Sequence, residues 1–149
     1  MARTTTAPTA DPLTLDDQLC FALYAASRAM TARYRPYLDA LGLTYPQYLV
    51  LIVLWDEGPA TVSTLGERLR LDSGTLSPLL KRLETNGLIT RARRPEDERS
   101  VEIRTTPKGK RLQGRAARIP PQIRASLDGV DQHRLMDALH DLEAALRDA

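Results

Sequence analysis

Cysteine is almost absent from this chain. Its 149 residues hold one, Cys20, which excludes a disulfide within the chain. Histidine is nearly as scarce. His133 and His140 lie seven apart on one face of what reads as a single helix, and packing or solvent-facing histidines explain them more simply than a metal site. No apolar run is long enough to cross a membrane, and the first residues lack the apolar core of a signal peptide. The protein is expected to be soluble and cytoplasmic, with no membrane partner. No internal repeat appears. A strong net charge is missing too: 21 Lys and Arg against 19 Asp and Glu leave +2, which looks unpromising for a nucleic-acid binder.

The distribution of that charge is more telling. Residues 1–60 carry four Lys/Arg and six Asp/Glu, a net −2; residues 61–111 carry twelve and seven, a net +5; residues 112–149 carry five and six, a net −1. Basic charge is therefore confined to one segment, as an electrostatic footprint for a polyanion would be.

That segment, 61–107, reads as two short helices and a hairpin. The first helix covers about Val62 to Leu69, with Leu65 and Leu69 on its buried side. Leu71-Asp72 is the turn, and Asp72 caps the second helix, leaving Ser73 in its first turn. Leu76, Leu79, Leu80 and Leu83 form an apolar stripe, so Thr75, Ser77, Pro78, Lys81 and Arg82 face elsewhere. Gly87 signals the helix end. Leu88–Arg93 and Ser100–Thr105 read as strands around a polar turn, Arg94–Arg99. A helix with a leucine floor and a hydroxyl-and-cation roof suits the major groove of DNA. A charged hairpin suits a wing, with Arg99 able to enter the narrower groove. An ordinary amphipathic helix pair with a solvated face fits the same pattern.

The flanks read as scaffold. Residues 1–12 hold Thr, Ala and Pro without periodicity and are expected to be a disordered arm. Residues 13–60 read as N-terminal helices. A long one spans Leu13 to Leu41, kinked or interrupted at Pro36 and ended by Gly42. The next starts at a Thr44–Gln47 capping box with Pro46 in its first turn; Tyr48, Leu49, Leu51, Ile52, Leu54 and Trp55 make it apolar nearly all round, hence central. In residues 108–149, a helix from Lys108 to about Ile119 is broken or bent by Pro120-Pro121. Asp131 then caps a last helix striped by Leu135, Met136, Leu139, Leu142 and Leu146. The first and last helices carry more apolar surface than one chain can cover, and a two-fold dimer would set two reading helices on a near-palindromic site. The expected fold is mainly α with a small β-hairpin wing, a winged helix-turn-helix paired through its N- and C-terminal helices.

Cys20 falls within about a turn of its helix's start, where the dipole and free amides favour a thiolate, although Asp16 and Asp17 oppose it. An inert buried thiol is the plainer reading of a lone cysteine on an apolar helix. Against it stands a supply of phenols able to donate to a thiolate: Tyr24, Tyr34, Tyr37 and Tyr45. Tyr24, at i+4, adjoins Cys20. Tyr34 lies fourteen residues on, roughly 21 Å along a straight helix, so contact with Cys20 requires a second, antiparallel chain.

Four runs then carry a resemblance: Leu15–Tyr24 (LDDQLCFALY), Leu43–Tyr48 (LTYPQY), Leu71–Leu83 (LDSGTLSPLLKRL) and Asp97–Ser100 (DERS). Together they resemble the OhrR branch of the MarR family, over roughly Leu13 to Ala149. Those proteins are dimeric winged-helix repressors that sense organic hydroperoxides and need no cofactor. The resemblance implies that Cys20 is the peroxidatic cysteine, that Tyr34 and Tyr45 hydrogen-bond its thiolate from the other subunit, and that Tyr24 is a nearby third tyrosine. It implies that the helix after Asp72 reads DNA, that Arg99 enters the minor groove, and that Asp97 holds the wing; Arg94, at the start of the polar turn, is a further candidate for DNA contact. Some relatives carry a resolving cysteine; this chain does not. Its sulfenic acid must persist, react with a low-molecular-weight thiol, or over-oxidise. Three rivals use the same residues differently: a MarR-type repressor gated by a small aromatic ligand, a thiol peroxidase, and a pure interaction module. The expectation is a regulator and not an enzyme.

Overall fold

The computed structural model describes residues 13–148; the expected N-terminal arm lies outside them. Among the described residues, seven helices and three short strands follow the order α1 (Leu19–Asp39), α2 (Tyr45–Glu57), β1 (Ala60–Thr61), α3 (Val62–Leu69), α4 (Ser73–Thr85), β2 (Ile89–Arg94), β3 (Asp97–Thr105), α5 (Pro107–Ala116), α6 (Ile119–Ala125) and α7 (Gln132–Arg147). The architecture is a helical body carrying a three-stranded antiparallel sheet in the order β1-β3-β2, a winged helix-turn-helix.

Local chemistry sets most of the boundaries. Thr44 and Gln47 close the capping box of α2 reciprocally, with Gln47 N donating to Thr44 Oγ1 at 3.3 Å and Thr44 N to Gln47 Oε1 at 3.0 Å. Asp72 Oδ1 accepts from Thr75 N at 2.7 Å, Thr106 Oγ1 from Gly109 N at 3.1 Å, and Asp131 Oδ1 from Arg134 N at 3.1 Å, so α4, α5 and α7 each start at a side-chain cap. Gly87 has a φ of 73°, which lets the chain leave α4 and enter β2 without steric cost.

Four expectations are corrected. The first helix begins at Leu19, not Leu13, because residues 15–18 close a turn in which Gln18 N donates to Leu15 O at 3.1 Å. It then runs through Pro36 to Asp39 without interruption. The wing strands are longer than expected: β3 begins at Asp97, so Arg99 is a strand residue and only Pro95-Glu96 turns the chain. The helix expected to reach about Ile119 does break, but already at Ala116, and Pro120-Pro121 lie inside the separate helix α6, since both prolines occupy its first turn, where an N–H has no partner to lose.

The core is built by α2, whose Val50 and Leu51 are fully buried, packed with Leu65 of α3, Leu76, Leu80 and Leu83 of α4, and Ile89 and Ile103 of the sheet. The leucine stripe foreseen for α4 is therefore its floor. At the other extreme, α7 buries none of its residues, and Leu135, Met136, Leu139 and Leu146 are exposed. Of the residues of α1, only Leu38 is buried. Arg70, left-handed at φ 54° where α3 ends, forms an ion pair with Glu143 of α7. No described helix is long and apolar enough to cross a membrane.

Candidate functional site

Two sets of residues stand out, one on the α4–wing surface and one along α1. On the first, burying Leu76, Leu80 and Leu83 turns the opposite side of α4 outward, and Ser73, Thr75, Ser77, Pro78, Lys81 and Arg82 are all exposed. The Asp72 carboxyl is held below its ordinary value by the Thr75 hydrogen bonds, so the cap remains a charged acceptor at neutral pH.

The wing grows from backbone pairing. Residues β2 89–93 face β3 101–105 in register, and a bulge between Arg93 and Arg94 twists the tip so that Arg94 pairs with Asp97. There Asp97 Oδ1 accepts from Arg99 N at 3.0 Å, which fixes the backbone from which the Arg99 side chain leaves. Arg94 is held by carboxylates. Its Nε lies 3.6 Å from Glu102 and 3.9 Å from Glu96. Among the described residues, Arg99 has no carboxylate partner. The surface therefore presents hydroxyls, Lys81, Arg82 and an unpaired Arg99, a set that matches phosphates and base edges. Arg99→Ala is expected to weaken duplex binding on the order of tenfold and to flatten its salt dependence by about one ion; titrations across a salt series measure both.

The second set is split along one helix. Cys20 is exposed, against the reading as an inert buried thiol. It sits in the first turn of α1, whose N-cap, Gln18, forms no side-chain cap, so the amides there are open to an anion. Tyr24 stacks beneath Arg28, whose guanidinium carbon is 5.4 Å from the ring centroid. Tyr34 lies near the far end of the same unbroken helix, roughly 21 Å from Cys20 at 1.5 Å per residue. The short connection after α1 brings the first turn of α2 beside it. Tyr34 and Tyr45 meet edge-on with ring centroids 5.1 Å apart, and Tyr48 completes the group at 6.0 and 6.2 Å. Tyr48 was assigned to the apolar core alone; its spacing of three from Tyr45 on one helix was the signal that it shares that face.

All three phenols stay protonated at neutral pH. Burial raises Tyr34, with the Arg124 guanidinium pulling it partly back. Burial and then Tyr34 raise Tyr45. Burial, Tyr34 and Tyr45 push Tyr48 up to about 12. The cluster is thus a set of hydroxyl donors held at one end of α1, with the sulfur at the other. His133 and His140 are exposed on α7, and among the described residues no group of three or more His, Cys, Asp or Glu is placed to hold a metal.

The leucine-floored helix pair and its hairpin define a winged helix-turn-helix protein. The MarR family model matches residues 43–101. The organic hydroperoxide resistance transcriptional regulator of Bacillus subtilis (strain 168) is 52% identical over 134 residues, which is 89% of this chain and 91% of that protein. The structure of reduced AbfR bound to DNA superimposes with a TM-score of 0.75 at 37% identity, covering 89% of this chain and 92% of that one. AbfR in its disulfide form gives 0.68 at 36%, covering 89% and 90%. The chain belongs to the MarR family, in the branch of the organic hydroperoxide resistance regulators.

Proposed function

We propose that this protein is a cytoplasmic, homodimeric repressor that binds a near-palindromic operator and releases it when an organic hydroperoxide oxidises Cys20. One observation carries the reading: an exposed sulfur at the start of α1 and a protonated tyrosine cluster at its other end. Two such helices, antiparallel about a two-fold axis, bring each sulfur to the partner's phenols. The exposed Leu19, Phe21 and Tyr24 of α1 and Leu135, Met136 and Leu139 of α7 supply apolar surface for that pairing. Residues 13–60 and 108–149 then form the dimer body, and 61–107 the DNA-reading segment, with Ser73, Thr75, Ser77, Pro78, Lys81 and Arg82 in the major groove and the wing, Arg94, Asp97 and Arg99, beside it. Relatives support the two halves: one is named for organic hydroperoxide resistance, and another is solved reduced on DNA and as a disulfide.

The chemistry balances without a cofactor. The thiolate attacks one peroxide oxygen, the O–O bond breaks and an S–O bond forms. Sulfur loses two electrons, and the departing alkoxide takes a proton and leaves as alcohol. Tyr34 and Tyr45 of the partner donate hydrogen bonds that hold the sulfur ionised, and Tyr24 lines the approach. The added oxygen, or a mixed disulfide with a small thiol, no longer fits the cluster. With no second cysteine in the chain, oxidation goes on to such a mixed disulfide, to over-oxidation, or rests at the sulfenic acid. The reaction is stoichiometric in Cys20, not catalytic turnover. Mass spectrometry of Cys20 paired with an operator-shift titration tests this: oxygen addition at Cys20 should track release in dose, and release with Cys20 unmodified overturns it.

A second reading has one observation behind it. A cleft of about 380 Å³ between α2 and α5 is lined by Tyr48, Ile52, Trp55 and Ala116, a fit for a small aromatic ligand. It predicts that an aromatic acid displaces DNA while peroxide does nothing.

A further inference from the structure

Helix α7 is loosely seated on its own chain. None of its residues is buried, and it takes part in none of the main packings between elements. One of its side chains nonetheless reaches the reading head, where Glu143 forms an ion pair with Arg70. Arg70 ends α3 in the left-handed region, at φ 54°, just ahead of Asp72, the cap of α4. The turn it opens is stiff. Leu71 N donates to Gly66 O at 2.9 Å, a Cβ at Gly66 would meet Leu71 O at 2.9 Å, and Asp72 Oδ1 accepts from Thr75 N at 2.7 Å. A displacement of Arg70 therefore carries the start of α4 with it. A cleft of about 640 Å³ beside the turn, lined by Val62, Ser63, Glu67 and Leu71, leaves room for that displacement.

We propose that Arg70 and Glu143 are positioning residues for the reading helix, and that their ion pair is the tie through which a rearrangement between protomers reaches α4. The proposal rests on the dimeric cysteine-sensor reading above and adds to it a route from Cys20 to the DNA-reading surface. Glu143 follows Met136 and Leu139 at i+7 and i+4, so it extends the exposed apolar stripe of α7. In the proposed dimer the partner covers that stripe, which fixes Glu143 and, through it, Arg70. Taking the pair partly out of water also strengthens it. When oxidised Cys20 disturbs the packing of the dimer body, α7 shifts against its own reading head and the tie parts. The exposed face of α4 then loses its fixed angle to the groove.

A charge swap on the full-length dimer tests the tie. Glu143→Gln, Arg70→Glu, Glu143→Arg and the double variant Arg70→Glu, Glu143→Arg are titrated, reduced and after cumene hydroperoxide, against a duplex selected from a random pool by the reduced wild type. Glu143→Gln should weaken reduced-state binding about fivefold, the upper range for a partly exposed pair, and leave the oxidised affinity unchanged, so that the ratio between the two states shrinks by the same factor. Each single reversal should cost more, and the double variant should return to within about twofold of wild type. Arg70 acting only on a phosphate would leave Glu143→Gln at wild-type affinity and the double variant as weak as Arg70→Glu, and either result overturns the proposal. A Glu143 that only helps the protomers associate would weaken binding without rescue by the swap, which overturns it as well. The reduced-state swap decides the tie by itself. A wild type that keeps its duplex after Cys20 is oxidised overturns instead the sensor reading.

Discussion

Cys20→Ser is expected to bind operator like the reduced wild type and to keep hold of it in cumene hydroperoxide. The substitution exchanges one exposed atom for a slightly smaller one on α1, outside the segment proposed to read DNA, so affinity without oxidant should stay within about twofold. A serine hydroxyl does not reduce a peroxide, so the step that disturbs the tyrosine cluster is lost. For wild type, a hundredfold loss of affinity on oxidation needs only about 2.7 kcal/mol, within reach of an ill-fitting atom at a packed interface. Fluorescence anisotropy with a labelled duplex, before and after peroxide, separates the two proteins. A variant that lets go as readily as wild type would refute the sensor assignment.

The largest loss of stability should come from Gly109→Ala. A Cβ placed there meets the Leu88 carbonyl oxygen at 2.2 Å and its carbon at 3.2 Å, and both are backbone atoms that cannot swing aside. The same carbonyl already accepts Thr106 N at 3.0 Å, and Gly109 O accepts the Trp55 indole N–H at 3.1 Å. Relief therefore needs α5 to lift off the root of β2, breaking these bonds and tilting the wing. The expected cost is about 3 kcal/mol, on the order of 10 °C in Tm for a chain of this size. Gly114→Ala on the same helix is the control: its Cβ meets nothing within 4 Å, and alanine favours a helix interior by up to about 1 kcal/mol. Equal melting of the two variants would count against the clash.

Features that depend on near neighbours were legible from residue order. Caps at Thr44, Asp72 and Asp131 act over three residues, and the Leu76–Leu83 stripe follows from helix period alone. The corrections come where the partner is distant or the element too short. β1 has two residues, too few to show alternation, and exists because Ala60 and Thr61 pair with Ile103 and Glu102. The polar run 94–99 read as turn because charge was taken for a sign of looping, whereas β2 and β3 keep pairing in solvent with Arg94 and Arg104 bound to Glu102. The site was half visible. The separation of Cys20 from Tyr34 needed only the rise of a helix. Tyr48 shares the Tyr45 face by its spacing of three, but only the packing of α2 against α1 brings both rings to Tyr34, which no local pattern encodes.

The length of α1 has one more consequence. In the proposed dimer a sulfur reaches Tyr34 and Tyr45 only across the two-fold axis, so two crippled chains can make a working pair. Mixed dimers of Cys20→Ser with a Tyr34→Phe, Tyr45→Phe double variant should hold one whole reaction centre and one that lacks everything, and should regain about half of the fast oxidation that neither parent shows alone. Recovery by mixing is the genetic signature of a centre that each molecule owns only in part.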